Sequence, residues 1–291
     1  MNNTLYQINN LTCQYPNAKY PALVIDSLAI NNSSITFFIG ASGVGKSTVL
    51  ETLGLMNNTF INHNNSVFNF HDPKNISNPT IDLRNIWSKN ENEIAEFRKQ
   101  HLSFIFQTTN LFPTLSAYEN VILTMVLQGK TKEEAIKTTK TIFKTIFNNE
   151  LKENRKITEL SGGQRQRLAF ARAIGVDYSV LFADEPTGNL DFANAHKLMA
   201  LLVKNIDVKN KKSAIVVSHD IYMAANFADK IVLIEKKYDD EKKYNYGLIS
   251  ENQNYYRTES TWYSNNGIKS YSLIEMVSHL NAKLKEQTTN G

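Results

Sequence analysis

Apolar and polar positions divide the chain into stretches of different period, and the period predicts the element. Residues up to about Ile39 read as short strands, LYQINNLTCQY, ALVIDSLAI and SITFFIG, separated by Asn, Pro and Ser, which predicts a β-rich edge. A helix should start near Lys46. The Asn-rich stretch from Asn57 to Asn92 carries little periodicity and predicts loops with a small excursion, after which the apolar run LSFIF leads to Gln107. From Ser116 to Phe147 the spacing is helical, with one break at QGKTKEE, where Thr131 can cap a second helix and Glu134 complete its capping box. A helix opening at Ser161 follows, then the strand SVLFADE, a helix after Asp191, the strand SAIVVSH, a helix after Asp220 and the strand KIVLIEK. Strands that are apolar almost throughout, alternating with helices, predict an α/β fold with a parallel sheet covered on both faces. At the end, KKYDDEKKYNYGLIS predicts a hairpin with a charged tip, and Ile274, Val277, Leu280 and Leu284 at helical spacing predict one docking helix.

Composition narrows the picture without changing it. With 42% hydrophobic residues the chain can fill a real core. Cys13 is the only cysteine, which excludes an internal disulfide and a thiolate metal cluster. The opening MNNTLYQINN has neither the basic nor the apolar region of a signal peptide, and no apolar run approaches the ~20 residues of a membrane-spanning helix. A soluble chain is expected. The formal charge of +4 is modest, and its lysines are interspersed with Asp and Glu, so a nucleic-acid partner is not expected.

The chemistry begins with a puzzle in LSGGQRQRLAFARA. Ser161 and Gln164 make a capping box, yet Gly162 and Gly163 each cost the first turn about 1 kcal/mol relative to alanine. Bare backbone there implies that something approaches it closely. A second glycine-rich segment, GASGVGKST, comprises Gly40, Ala41, Ser42, Gly43, Val44, Gly45, Lys46, Ser47 and Thr48, and fits the phosphate-binding pattern G-x-x-x-x-G-K-[ST] between a strand and a helix. Gly43 and Gly45 let successive N–H groups point at phosphate oxygens, Lys46 supplies a charge-assisted bond to the β- and γ-phosphates, and Ser47 is placed to ligate Mg²⁺. VLFADE ends its strand on two carboxylates, where parallel sheets collect their ligands. Asp184 would hold the metal, directly or through water, and Glu185 would take a proton from the attacking water. Gln107 and His219 each follow an apolar strand and together could surround the γ-phosphate. Tyr15 either stacks on a base or packs at the sheet edge, with Tyr20 as its substitute.

GASGVGKST, FIFQ, LSGGQ, VLFADEPTGNLD and VVSH, in this order, resemble the ATP-binding cassette (ABC) ATPases of membrane transporters over about Leu5 to Glu235. Within that family, EFRKQHLSFIFQ, NLFPTLSAYENV and FADEPTGNLD are most similar to the lipoprotein-releasing and macrolide-export (LolD- and MacB-like) branch. The resemblance implies a P-loop NTPase core with an antiparallel β subdomain and an α-helical subdomain. It places the ATP-binding domain at 1–235 with the helical part at about 108–175, a hairpin at 236–255 and a C-terminal extension at 256–291. It also answers the puzzle: Ser161, Gly162 and Gly163, followed by Gln164, would contact the γ-phosphate of ATP held by a second ATPase subunit, most simply a homodimer. Glu185 would be the general base, His219 would bond the γ-phosphate, Gln107 would sense metal and water, and Asp191 would link the two sites. ATP and Mg²⁺ are the implied cofactors, and integral membrane permease subunits the implied partners, at the cytoplasmic face of the membrane. Phe112, Leu115 and Tyr118 line either a groove for that partner or the helical core. The rival reading is a soluble cassette ATPase acting on nucleic acid or ribosomes, and a third is a binding module that does not hydrolyse.

Overall fold

The computed structural model describes residues 3–61, 63–75, 77, 80–148, 150–206 and 211–289. Five buried, apolar strands run parallel in one sheet: β3 (Ile35–Ile39), β7 (Leu102–Ile105), β8 (Val180–Asp184), β9 (Ser213–Val217) and β10 (Lys230–Leu233), in the order β10-β3-β9-β8-β7. Because all five point the same way, the segments after β3, β7, β8 and β9 emerge at one edge. Those segments carry the phosphate loop, Gln107, Glu185 and His219, so the topology alone gathers residues that lie far apart in sequence.

A second sheet covers one face. Its strands β1 (Thr4–Cys13), β2 (Leu23–Asn31), β4 (Phe60–Ile61), β5 (Val67–His71) and β6 (Thr80–Asp82) pair antiparallel, and the hairpin β11 (Glu235–Asp239) and β12 (Tyr244–Ile249) joins them. The expected antiparallel subdomain is therefore mixed, since β12 lies parallel to β2. Helix α1 (Lys46–Leu53) lies between the sheets: its Val49, Leu50 and Leu53 share a core with Leu5, Ile8, Phe38, Phe182 and Val217. The opposite face of the parallel sheet is covered by α3 (Ala117–Gln128), α4 (Lys132–Phe147), α5 (Gly162–Gly175), α6 (Phe192–Asn205) and α7 (Ile221–Phe227). Ser116 and Thr131 cap α3 and α4 with complete capping boxes, the second at the break read from the sequence.

Four expectations need correction. The Asn57–Asn92 stretch is more than loops, because β4, β5 and β6 fall within it and bury Phe60, Phe68 and Phe70; strands of two to five residues are too short for their alternation to show. Helix α2 (Glu91–His101) was not foreseen, although Asn90 caps it through the Glu93 amide. The expected break between 255 and 256 falls inside β13 (Asn254–Thr258), which pairs with β10 and extends the central sheet through β14 (Thr261–Ser264) and β15 (Ser270–Tyr271). Helix α8 (Leu273–Thr289) docks on α7 through Met276 and Leu280, with Val277 and Leu284 half-buried, while Ile274 is 78% exposed. The apolar stripe is thus one residue out of the expected phase at its start.

Candidate functional site

The loop between β3 and α1 turns on two glycines with positive φ, Gly43 at 74° and Gly45 at 98°. A side chain on Gly45 would also press on the Ala22 carbonyl oxygen at 3.2 Å, so this position needs glycine twice over. Lys46 folds back over the loop, its Nζ donating to the Gly40 and Ala41 carbonyls at 2.9 and 2.8 Å. Burial lowers the pKa of its ammonium, and the nearby Glu185 and Asp184 carboxylates work against that shift. A half-buried cation that donates to two loop carbonyls, at the mouth of a glycine loop and a helix N-terminus, fits a phosphate. Ala41 and Gly45 are partly covered, Ser42 and Gly43 are exposed, and Gly40, Val44 and Thr48 are buried beneath them.

Ser47 and Asp184 line one cavity of about 190 Å³, together with Glu51, Phe104, Phe106 and Phe182. Ser47 and Asp184, two of the three residues expected at a metal, are therefore brought to the wall of one cavity, which Gln107 does not line. Burial raises the Asp184 pKa, and the Glu185 charge raises it further, while Lys46 opposes both. A divalent cation at this wall would relieve that cost, so the donor set of a hydroxyl and a carboxylate fits Mg²⁺.

Glu185 follows directly, with φ +46°. A non-glycine residue in the left-handed region costs about 1–3 kcal/mol and persists only where its surroundings impose it. Here they do. Its N–H donates to the Val217 carbonyl at 2.9 Å, and its carbonyl accepts from Gly188 N at 3.1 Å. Its Oε1 accepts from His219 N at 3.0 Å and lies 2.8 Å from His219 Nδ1, and its Oε2 accepts from Ser218 Oγ at 3.2 Å. The carboxylate is mostly buried while the imidazole is 75% exposed, so His219 reaches outward from a Glu185 held in place. Gln107 is exposed in the segment two residues past the end of β7.

Ser161 caps α5 with a full capping box: its Oγ accepts from Gln164 N at 3.2 Å and its N–H donates to Gln164 Oε1 at 3.0 Å. The capping reading therefore holds, and a Cβ on Gly163 would stand 3.2 Å from Leu190 Cδ2, but Gly162 is left unexplained. Among the described residues a Cβ on Gly162 would meet nothing within 4 Å, so none of them demands glycine there. Asp191 caps α6 through Asn194 N at 3.0 Å. Tyr15 turns its hydroxyl toward α1, donating to Glu51 Oε2 at 2.7 Å and lying 3.3 Å from Thr48 Oγ1, and burial raises its pKa to about 12. Tyr20 instead stacks on Tyr244 of the hairpin, with centroids 4.3 Å apart.

One residue that sequence reasoning missed holds this region together. Gln166 is fully buried in α5; its Nε2 donates to the Pro186 carbonyl at 2.9 Å and the Glu185 carbonyl at 3.3 Å, and its Oε1 accepts from Asn189 Nδ2 at 3.3 Å. The Phe112, Leu115 and Tyr118 triplet divides. Phe112 is 46% exposed and Leu115 half-buried, whereas Tyr118 is core, packed edge-on against Phe143 at 4.8 Å.

The profile of the ABC transporter family matches residues 24–188, which contain the phosphate loop, the LSGGQ segment and both carboxylates. The chain belongs to the ABC transporter family. It is similar to the lipoprotein-releasing system ATP-binding protein LolD of Desulfotalea psychrophila, with 32% identity over 82% of this chain and all of that protein. A LolD of Aquifex aeolicus is 38% identical over 61% of this chain and 72% of its own length. Among solved structures, the dimeric ABC transporter cassette MJ0796 superposes with a TM-score of 0.62 at 29% identity, covering 79% of this chain and 94% of that one. The same cassette is also known in a post-hydrolysis state bound to ADP and phosphate. This cassette is accordingly an ATP-binding, ATP-hydrolysing subunit of an ATP-driven transporter, built on the α/β fold expected from its sequence.

Proposed function

We propose that two copies of this cassette close head to tail around two Mg-ATP and drive separate membrane subunits in lipoprotein release or a related export or force-transmitting process. The observation that carries the reading is the cavity shared by Ser47 and Asp184 beside the left-handed, half-buried Glu185. On this reading the loop amides from Ala41 to Thr48 cradle the β- and γ-phosphates, and Lys46 leaves its carbonyls for the phosphate oxygens. Ser47, Asp184 and Gln107 would hold Mg²⁺, which would supply charge neutralisation to the β- and γ-phosphates. Glu185 takes the proton of the attacking water, an effect worth about 10²–10⁴-fold. His219 bonds the γ-phosphate. Ser161, Gly162 and Gly163 serve the nucleotide of the other copy, which the open space around Gly162 favours. Asp191 links the two sites, and Tyr15 faces the base from beside α1. ATP bridges the two faces; charged product between them opens the dimer.

Membrane subunits are implied because no helix among the described residues is long and apolar enough to cross a bilayer. The exposed Phe112, with Leu115 beside it, is where a cytoplasmic helix of such a subunit would rest, and the cassette would then work at the cytoplasmic face. The similarity to LolD proteins supports lipoprotein release as the branch. The test is Glu185→Gln, which keeps the hydrogen-bonding shape and removes the base. It should bind ATP, form a stable dimer and turn over at least about 100-fold more slowly. Hydrolysis at the wild-type rate would end the assignment of Glu185.

A further inference from the structure

Two large aromatic side chains stand exposed beside the loops that carry Asp191 and His219. Phe192, the first residue of α6, is 60% exposed, and Tyr222, in the first turn of α7, is 44% exposed. They touch each other, with ring centroids 5.6 Å apart. Behind them His196 lies 6.2 Å from Phe192 and packs edge-on against the buried Phe227 at 4.7 Å, so the patch is anchored to the core. Both helices are capped by acidic residues of those same loops, Asp191 for α6 and Asp220 for α7, which fixes the first turns that carry the two rings. Single exposed apolar residues need no explanation, but two touching rings held in place beside a reactive face form a contact surface.

We propose that Phe192 and Tyr222 are a self-association contact: the patch on one copy packs against a second copy of this chain when ATP closes the pair. The inference rests on the dimer reading above and adds a chain-specific apolar contact to it. The occupant follows from position. The patch flanks Asp191 and His219, the two loops that reading places between copies, whereas the exposed apolar residues Phe112, Val126 and Leu127 stand on α3 and the segment leading into it. The related cassette MJ0796 is itself dimeric. Two-fold symmetry uses each ring twice, so a modest contact per ring is doubled in the pair. Tyrosine and phenylalanine suit such a contact because they bury large area at little entropic cost.

The experiment compares Glu185→Gln with Glu185→Gln carrying Phe192→Ser and Tyr222→Ser, by sedimentation with saturating Mg-ATP. The triple variant should bind ATP as a monomer with unchanged affinity and melt as its parent does, while its dimer dissociation constant rises about tenfold or more, as expected for buried aromatic contacts. If the serines lower melting by several degrees, Tyr222→Ser alone is compared with Tyr222→Phe, and only the serine should weaken the dimer. A parent that stays monomeric with ATP would refute the dimer reading itself. A parent that dimerises while the triple variant dimerises equally well would overturn the patch alone. Loss of binding to membrane subunits with dimerisation intact would overturn it too, by assigning the rings to that other partner.

Discussion

Replacing Gln166 with leucine isolates the tie between α5 and the loop that carries Glu185. Leucine is close to glutamine in volume, so little cavity is left; what disappears is a buried amide. Three partners are affected unequally. The Glu185 carbonyl keeps its bond from Gly188 N, and Asn189 is exposed and can turn to water. The Pro186 carbonyl loses the 2.9 Å bond from Gln166, and Pro186 is buried. One orphaned buried carbonyl costs about 1–3 kcal/mol. For a chain of this size, about 2–4 °C of melting temperature accompanies each kcal/mol, so Gln166→Leu should melt roughly 2–12 °C lower. The effect on chemistry should be larger than that on binding. Pro186 is the residue after Glu185, whose φ of +46° is imposed by its surroundings, and a freed Pro186 lets Glu185 relax. Turnover should fall about tenfold, equivalent to about 1.4 kcal/mol, with ATP affinity nearly unchanged because the phosphate loop is untouched. Melting curves, steady-state phosphate release and fluorescent-nucleotide titration measure the three quantities. A leucine variant as stable and as active as wild type would show that the buried amide holds nothing that matters.

Three further substitutions follow from the same geometry. Gly247→Ala would drive a methyl group into the Val44 carbonyl oxygen of the phosphate loop, so it should weaken ATP binding by about tenfold or more, as titration of the purified variant would show. Trp262→Ala removes a fully buried indole from the C-terminal extension, along with its bond to the Ala225 carbonyl; it should cost about 3–5 kcal/mol by denaturant unfolding, and an unchanged midpoint would contradict the integration of β14 with α7. Lys230 is buried, its Nζ donating to the Ala29 carbonyl at 2.6 Å, and burial lowers its pKa from 10.5 to about 8. The unfolded chain therefore binds more protons between about pH 8 and 10.5, so this group adds stability as pH rises through that window and withdraws it as pH falls. Lys230→Met should abolish that contribution, seen as a flatter difference in urea midpoint across the window.

Much of this site could be read from the sequence because each part announces itself locally. A phosphate loop needs glycines at fixed offsets, and a strand ending in two carboxylates shows itself by a run of apolar residues that stops. The parallel sheet follows from those runs, and the sheet brings Lys46, Asp184, Glu185 and His219 to one edge. What escaped has a physical reason in each case. Strands β4 to β6 are two to five residues long, and apolar Ile61 and Val67 stand at their less buried positions, so their alternation is too short and too blurred to register. The extension was set apart because it holds no nucleotide motif, yet β13 continues the central sheet and Trp262 packs beneath it; integration there depends on long-range pairing with β10, which leaves no local trace. Tyr118 falls on the same helical face as Val121 and Met125, which marks it as core rather than groove. Gln166 did leave a trace. It occupies the stripe formed by Ala169, Phe170 and Ala173, all buried, so a glutamine there has either to pay desolvation or to find partners. The partners it finds are the backbone of Glu185 and Pro186. A polar residue in phase with an apolar face is therefore the sequence signal that joins the LSGGQ helix to the carboxylate loop.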